Sequence, residues 1–145
     1  MPIEIREFAP EDHTAVVDLW RATPGVAVRD VDAPAPITAY LARNPGMSFV
    51  AVADGAIVGA VLCGTDGRRG YLHHLAVHPK YRRQGIGRRL AERSLHALVN
   101  LGIDKCHLMV LTDNPDAREF WSHLGWQTRP DIQLMSYTNS GVATA

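Results

Sequence analysis

The sequence predicts a mixed α+β (α/β) fold, a mostly antiparallel sheet of about six or seven strands with one parallel pair, flanked by about four helices. Three observations carry that expectation. Two runs of small and β-branched residues, 48–53 and 56–63, are joined by Asp54-Gly55, the strongest short hairpin signal. A long amphipathic stretch, 85–101, separates the apolar run 71–77 from the run 105–111, and a helical crossover of this kind joins parallel strands. A second helical pattern follows, with Ala117, Phe120, Trp121 and Leu124 at i, i+3, i+4 and i+7.

In chain order, Ile3, Ile5 and Phe8 mark a first strand over 2–8. Pro10-Glu11-Asp12 opens a helix with acidic groups at its positive end, and Val16, Val17, Leu19 and Trp20 supply its buried side. Thr23-Pro24-Gly25 stops it. The stretch 24–36 has no period and reads as a mobile or irregular loop; a short helix over 37–43 ends at Asn44-Pro45-Gly46. After the hairpin, a glycine-rich turn over 64–70 leads to a third antiparallel strand over 71–77. In the helix 85–101 the inward side is Ile86, Leu90, Ala97, Leu98 and Leu101, the outward side Arg88, Arg89 and Arg93, and Gly102 closes it. Beyond the strand 105–111, Asn114 caps the last helix, which ends at Gly125. Two closing strands are expected over 126–129 and 132–138, then a tail over 139–145. For a chain of 145 residues a single domain, 1–138, is expected.

Fifteen basic residues balance fifteen acidic ones, so no net field draws the chain to nucleic acid or an anionic membrane. Cys63 and Cys106 form no C-x-x-C pair, which argues against a zinc knuckle or a secreted disulfide scaffold; both read as buried small hydrophobes. The opening residues lack a basic stretch followed by an apolar run, and no segment approaches the roughly 18 apolar residues of a membrane span. A cytoplasmic location is expected.

Chemistry concentrates in Leu75-Ala76-Val77-His78-Pro79-Lys80-Tyr81-Arg82-Arg83-Gln84-Gly85-Ile86-Gly87-Arg88. An apolar strand runs into a basic loop, and two glycines one residue apart begin a helix. Glycine lets backbone approach a ligand or take a positive φ. The first helical turn offers unpaired N–H donors with a partial positive charge, and Arg82, Arg83 and Arg88 add formal charge. Together these suit a phosphate or pyrophosphate. The pattern G-x-x-x-x-G-K-[ST] is absent, and Leu90 stands where a dinucleotide fingerprint needs its third glycine. A basic turn ahead of an amphipathic helix is the plain structural alternative.

The motif Arg82-x-x-Gly85-x-Gly87, after the strand end Leu-Ala-Val-His-Pro, resembles the [RQ]-x-x-G-x-[GA] signature of the GCN5-related N-acetyltransferase (GNAT) superfamily, in its small single-domain bacterial type. The downstream segment from Asn114 through Phe120 and Trp121 to Gly125-Trp126 matches a second family segment, and order and spacing fit over about residues 2–138. The resemblance implies transfer of an acetyl group from acetyl-CoA, without a metal, to a primary amine of a small molecule, amino acid or protein by direct attack on the thioester. It implies a GNAT-like sheet whose central parallel strands splay around the pantetheine. Main-chain groups of Leu75, Ala76 and Val77 would bind the pantetheine and acetyl carbonyl, with the Val77 N–H at the oxyanion. Arg82, Arg83, Gln84, Gly85, Ile86, Gly87 and Arg88 would hold the pyrophosphate. Asn114 would contact the CoA arm, and Phe120 and Trp121 would lie beside the thioester.

Two positions depart from the family pattern. Trp121 stands where many members carry a Tyr that protonates the leaving thiolate, and an indole N–H is not acidic enough for that; at this helical spacing it also reads as a packing aromatic. Met109 stands where some branches carry a Glu. A thiolate with a pKa near about 8.5 to 9 still leaves tolerably well. A base must come from elsewhere or be water, and His73 and His74, just before Leu75, are the candidates. Alternation along a strand would point one of them to the substrate cleft and the other away. Tyr71 is a further cleft candidate. His73, His74 and His78 have no carboxylate or thiolate at ligand spacing, so no metal is expected. His13, His96, His107 and His123 read as surface or helix-side residues.

For the acceptor, the family varies the segments corresponding to 20–36 and 64–70. Trp20 lies at the start of the first, Asp30 or Asp32 would attract an ammonium, and Arg68 or Arg69 would pair with a carboxylate. Solvated loop charges are the alternative for each. Three functions are open: the N-acetyltransferase, acting as monomer or homodimer; a CoA-binding sensor or interaction module with weak catalysis; and nucleic-acid binding through 82–93. The last lacks a stacking pattern and a net charge to support it.

Overall fold

The computed structural model describes residues 2–141, and in it five strands form one sheet in chain order. β1 (Glu4–Glu7), β2 (Phe49–Ala53), β3 (Ala56–Thr65) and β4 (Gly70–Val77) pair antiparallel in succession, and β5 (Cys106–His107) runs parallel to β4. Asp54 (φ 52°) and Gly55 (φ 76°) both take the left-handed conformation that a two-residue hairpin turn requires. The helices are α1 (His13–Arg21), α2 (Pro34–Arg43), α3 (Ile86–Asn100) and α4 (Pro115–His123). The chain divides into two compact units at Asp113–Asn114.

In the first unit the sheet carries helices on both faces. Val16, Val17 and Trp20 of α1 and Ile37 of α2 share one core with Val50, Ala60, Leu62 and Ala76. On the other face α3 lies so close to β3 that a Cβ at Gly59 would meet Leu90 and Ile86 at 3.1 and 3.2 Å. A 3₁₀ turn at Pro10–Asp12 precedes α1, and Asp12 ties it to β1 through a bidentate pair with Arg6 at 2.8 and 2.9 Å. That contact and the Ala9 N–H hold the Asp12 carboxyl below its usual range.

Several expected elements change. α2 begins at Pro34 rather than 37, because proline is tolerated in a first helical turn, where its missing N–H has no partner to lose. The loop over 24–36 contains a 3₁₀ turn, Asp30–Asp32. The strand over 105–111 shrinks to Cys106–His107, whose ladder to β4 covers Gly70 and Tyr71 alone. The strands over 126–129 and 132–138 are not formed, so the sheet has five strands rather than six or seven. Pro130, without an N–H, interrupts that segment, and Arg129 turns back on Asp131 at 3.0 Å. Ile132 and Leu134, which would share one face of such a strand, are exposed, as are Met135 and Tyr137. Of the expected tail over 139–145, residues 142–145 lie outside the described residues.

In the second unit Asn114 Oδ1 accepts the Ala117 N–H at 3.2 Å and caps α4. The Trp121 ring packs between Phe120 and Trp126, centroids 5.0 and 5.1 Å apart.

Candidate active site at the end of β4

Beyond Tyr71 no strand among the described residues pairs with the outer edge of β4. The His78 N–H donates to the Val58 carbonyl at 2.7 Å, so antiparallel alternation turns the Val77 N–H and C=O away from β3, toward that open edge. The Val77 carbonyl accepts Arg82 Nε at 3.1 Å, which folds the loop back on the strand end. A 3₁₀ turn at Pro79–Tyr81 follows, fixed by His78 Nδ1 accepting the Lys80 N–H at 3.1 Å.

Arg83 (φ 63°) and Gly85 (φ 77°) are both left-handed, and such reversals between ordinary residues gather successive amides into a concave nest. The N–H groups of Arg83, Gln84, Gly85, Ile86, Gly87 and Arg88 donate to nothing within the described residues. A Cβ on Gly85 would enter open space. Six unpaired donors at the positive end of a fifteen-residue helix make an anion site in chemical terms. The arginines divide. Arg83 has no side-chain partner among the described residues, whereas Arg88 pairs with Glu92 at 2.8 Å. Arg89 and Arg93 reach the carbonyls of Ile3 and Ile5 at 3.2 and 3.4 Å, and Arg93 lies over the Phe49 ring.

The histidine expectation needs correction. Leu62 pairs with His73 and Ala60 with Ala76, so β4 carries one residue more than β3 between the two pairs. That bulge puts His74 at φ 54°. Alternation therefore fails, and both rings lie on the α1–α2 face: His73 edge-on to Tyr40 at 6.5 Å, His74 edge-on to Trp20 at 4.9 Å. Burial and the neighbouring His74 push His73 below the usual histidine pKa. His74 Nε2 meets Asp32 Oδ2 at 3.0 Å, with the His74 side chain 24% exposed and that of Asp32 4%. The Asp32 carboxylate also accepts the Arg29 N–H at 3.0 Å, and its own carbonyl accepts His13 Nε2 at 2.7 Å.

Asp32 is the residue that sequence reasoning did not bring to β4. It is one of two acidic groups in a loop, Asp30 and Asp32, and no spacing links position 32 to position 74. Trp20, expected near the acceptor, is fully buried between Phe8 and His74 and belongs to the core. Asp30 is exposed. Arg68 and Arg69 are exposed on a turn whose backbone N–H groups are held by Asp66 Oδ1 at 2.8 and 2.9 Å. Tyr71 tilts against His107, centroids 5.9 Å apart. Asn114 spends its side-chain oxygen on the α4 cap, and Trp121 on a ring cluster. Met109 is exposed. Burial pushes the Cys63 thiol up to about 12 and Cys106 up to about 11. Among the described residues no group of three or more His, Cys, Asp or Glu side chains is placed to hold a metal ion, and no helix is long and apolar enough to cross a membrane.

The profile of the acetyltransferase (GNAT) family matches residues 13–126. An acetyltransferase of Pectobacterium atrosepticum is 36% identical over 132 residues, covering 91% of this chain and 93% of the relative. This chain belongs to the GNAT acetyltransferase family. A GNAT relative from Yersinia enterocolitica, also named an acetyltransferase, is 33% identical over the same shares of both chains. The GNAT fold recurs in solved structures at lower identity. The PaiA N-acetyltransferase of Thermoplasma acidophilum, in complex with coenzyme A, superposes with a TM-score of 0.81 at 20% identity, over 91% of this chain and 94% of that one. Ard1 of Thermoplasma volcanium gives 0.74 at 23%, over 86% and 82%.

Proposed function

We propose that this GNAT-family enzyme uses acetyl-CoA to acetylate a primary amine, with residues 1–138 as its functional domain. The observation that carries the reading is the row of unpaired amides over 83–88, which suits the pyrophosphate of the CoA moiety. Arg83 adds a charge without a protein partner, and the open space at Gly85 lets the phosphates approach the backbone. The outward Val77 N–H and the outer edge of β4 along Leu75–Val77, where no strand pairs and the Ala76 backbone is turned to β3, suit the extended pantetheine arm, laid along β4 as a further strand would be. A fixed N–H at that place stabilises the oxyanion formed when an amine attacks the thioester. Holding amine and thioester together supplies much of the remaining rate. The complex of a GNAT-fold neighbour with coenzyme A supports the same reading.

Met109 and Trp121 offer no proton-transferring group, which favours one alternative, a CoA-binding sensor of the same fold. Two measurements decide. Calorimetry on Gly85→Asp is expected to show acetyl-CoA affinity reduced at least about a hundredfold with the circular dichroism unchanged, because a carboxylate then faces the phosphates. Unchanged affinity removes the anion-site assignment. Thiol release from acetyl-CoA across a panel of amines is expected with at least one amine; binding without release against any of them selects the sensor.

A further inference from the structure

We infer that Asp32 and His74 act as a pair in which Asp32 holds the imbalance of charge and the ring tautomer, and His74 Nδ1 removes the proton from the acceptor ammonium. The inference rests on the amine-acetylation reading above. Asp32 is a positioning residue in it, and His74 is the group that meets the substrate.

Three features converge. Asp32 comes from the loop between α1 and α2, His74 from β4, and their 3.0 Å contact spans forty-two residues of sequence. A carboxylate can only accept, so Nε2 carries the hydrogen, and in the neutral ring Nδ1 keeps its lone pair for an incoming proton. Asp32 is itself fixed, by the Arg29 N–H on its carboxylate and by His13 on its carbonyl. The backbone at His74 is the second feature. A non-glycine residue at φ 54° is strained, and here the bulge sets the ring on the face of the sheet that holds Asp32. Exposure is the third: the carboxylate is buried while the ring keeps 24% of its surface open. His73 lacks the first two of these. It has no carboxylate partner, and burial and the neighbouring His74 depress its basicity.

The proton and electron count closes. The ammonium gives its proton to Nδ1, forming imidazolium beside Asp32, and the freed amine attacks the acetyl carbonyl. The tetrahedral adduct expels CoA thiolate, which takes the second amine proton. Products are the N-acetyl amide and CoA thiol, and the imidazolium returns its proton to water. The other titratable groups near the pair are His73 on β4, His13 on α1 and, beyond His73, Tyr40 on α2.

Asp32→Asn keeps the shape and removes the charge. In the wild-type protein, long-range ¹H–¹⁵N spectra above pH 8 are expected to show His74 as the Nε2–H tautomer. In Asp32→Asn the two tautomers should mix, the acid limb of kcat/KM for the amine should move to lower pH, and the plateau should fall about tenfold. Acetyl-CoA affinity should stay within about twofold. His74→Gln, at a partly open site, should abolish the limb and slow transfer about a hundredfold even if Asp32→Asn fails to fold. An Nδ1–H tautomer in the wild type, or an acid limb unmoved by His74→Gln, overturns the inference while leaving the acetylation reading intact. Absence of transfer to any amine by the wild type overturns both.

Discussion

His73 shows how one side chain ties its environment to stability. Its folded-state pKa lies below the ordinary histidine value because the ring is largely buried next to another histidine. The unfolded chain then binds more protons than the native one once pH falls below about 6.5, so stability is fully present above that value and declines as pH falls toward the lower folded pKa. The urea midpoint measured from pH 8 to pH 5 is expected to fall on the acid side, and His73→Gln to flatten that fall. A slope unaltered by His73→Gln would assign the acid sensitivity to other groups. Position 73 was visible in the sequence as a candidate, but its partner was not. Tyr40 lies thirty-three residues earlier on a helix, and nothing in either local pattern announces their contact.

At the scale of elements, the turn into β4 depends on a narrow fit. A Cβ at Gly64 would come within 2.6 Å of the Tyr40 hydroxyl and 2.8 Å of Asn44 Nδ2. Asn44 is buried and already committed, donating to the Tyr40 carbonyl and accepting the Thr65 N–H. Gly64→Ala is therefore expected to destabilise by about 1–3 kcal/mol, read by chemical denaturation, and an unchanged denaturation midpoint would show that the site relaxes around the added methyl. The hairpin β2–β3 and the helix α3 were readable because Asp54-Gly55 and the spacing of Ile86, Leu90 and Leu98 are local signals. The bulge at His74 was not, since no glycine marks it and period-two reading assumes it away. The same limit explains 105–111 and 126–138. Apolar alternation says which face a residue would take if it were in a strand, but it cannot supply the neighbouring edge that makes a strand form.

For the molecule as a whole, the site motif was read further than the fold around it. The stretch Arg82–Gly87 folds as two left-handed residues, Arg83 and Gly85, ahead of a helix start, with Arg82 turned back on the Val77 carbonyl, and its phosphate role rests on the proposal above. The basic stripe over 82–93 is exposed, as the helical spacing predicts, yet it is not a uniformly solvated face. Two of its arginines belong to the sheet. β1 is the free edge of that sheet, and register with β2 turns the carbonyls of Ile3 and Ile5 outward, where Arg89 and Arg93 donate to them. An uncovered row of carbonyls is a template for another chain to pair on, and a guanidinium placed there both occupies the acceptors and repels a like-charged neighbour. The pair of arginines is therefore expected to guard against self-association. Arg89→Ala/Arg93→Ala should fold and yet become concentration-dependent in light scattering, with thioflavin-positive material forming on storage while the parent protein stays clear. Should the double variant stay monodisperse at the same concentration, the edge is protected by its short length alone.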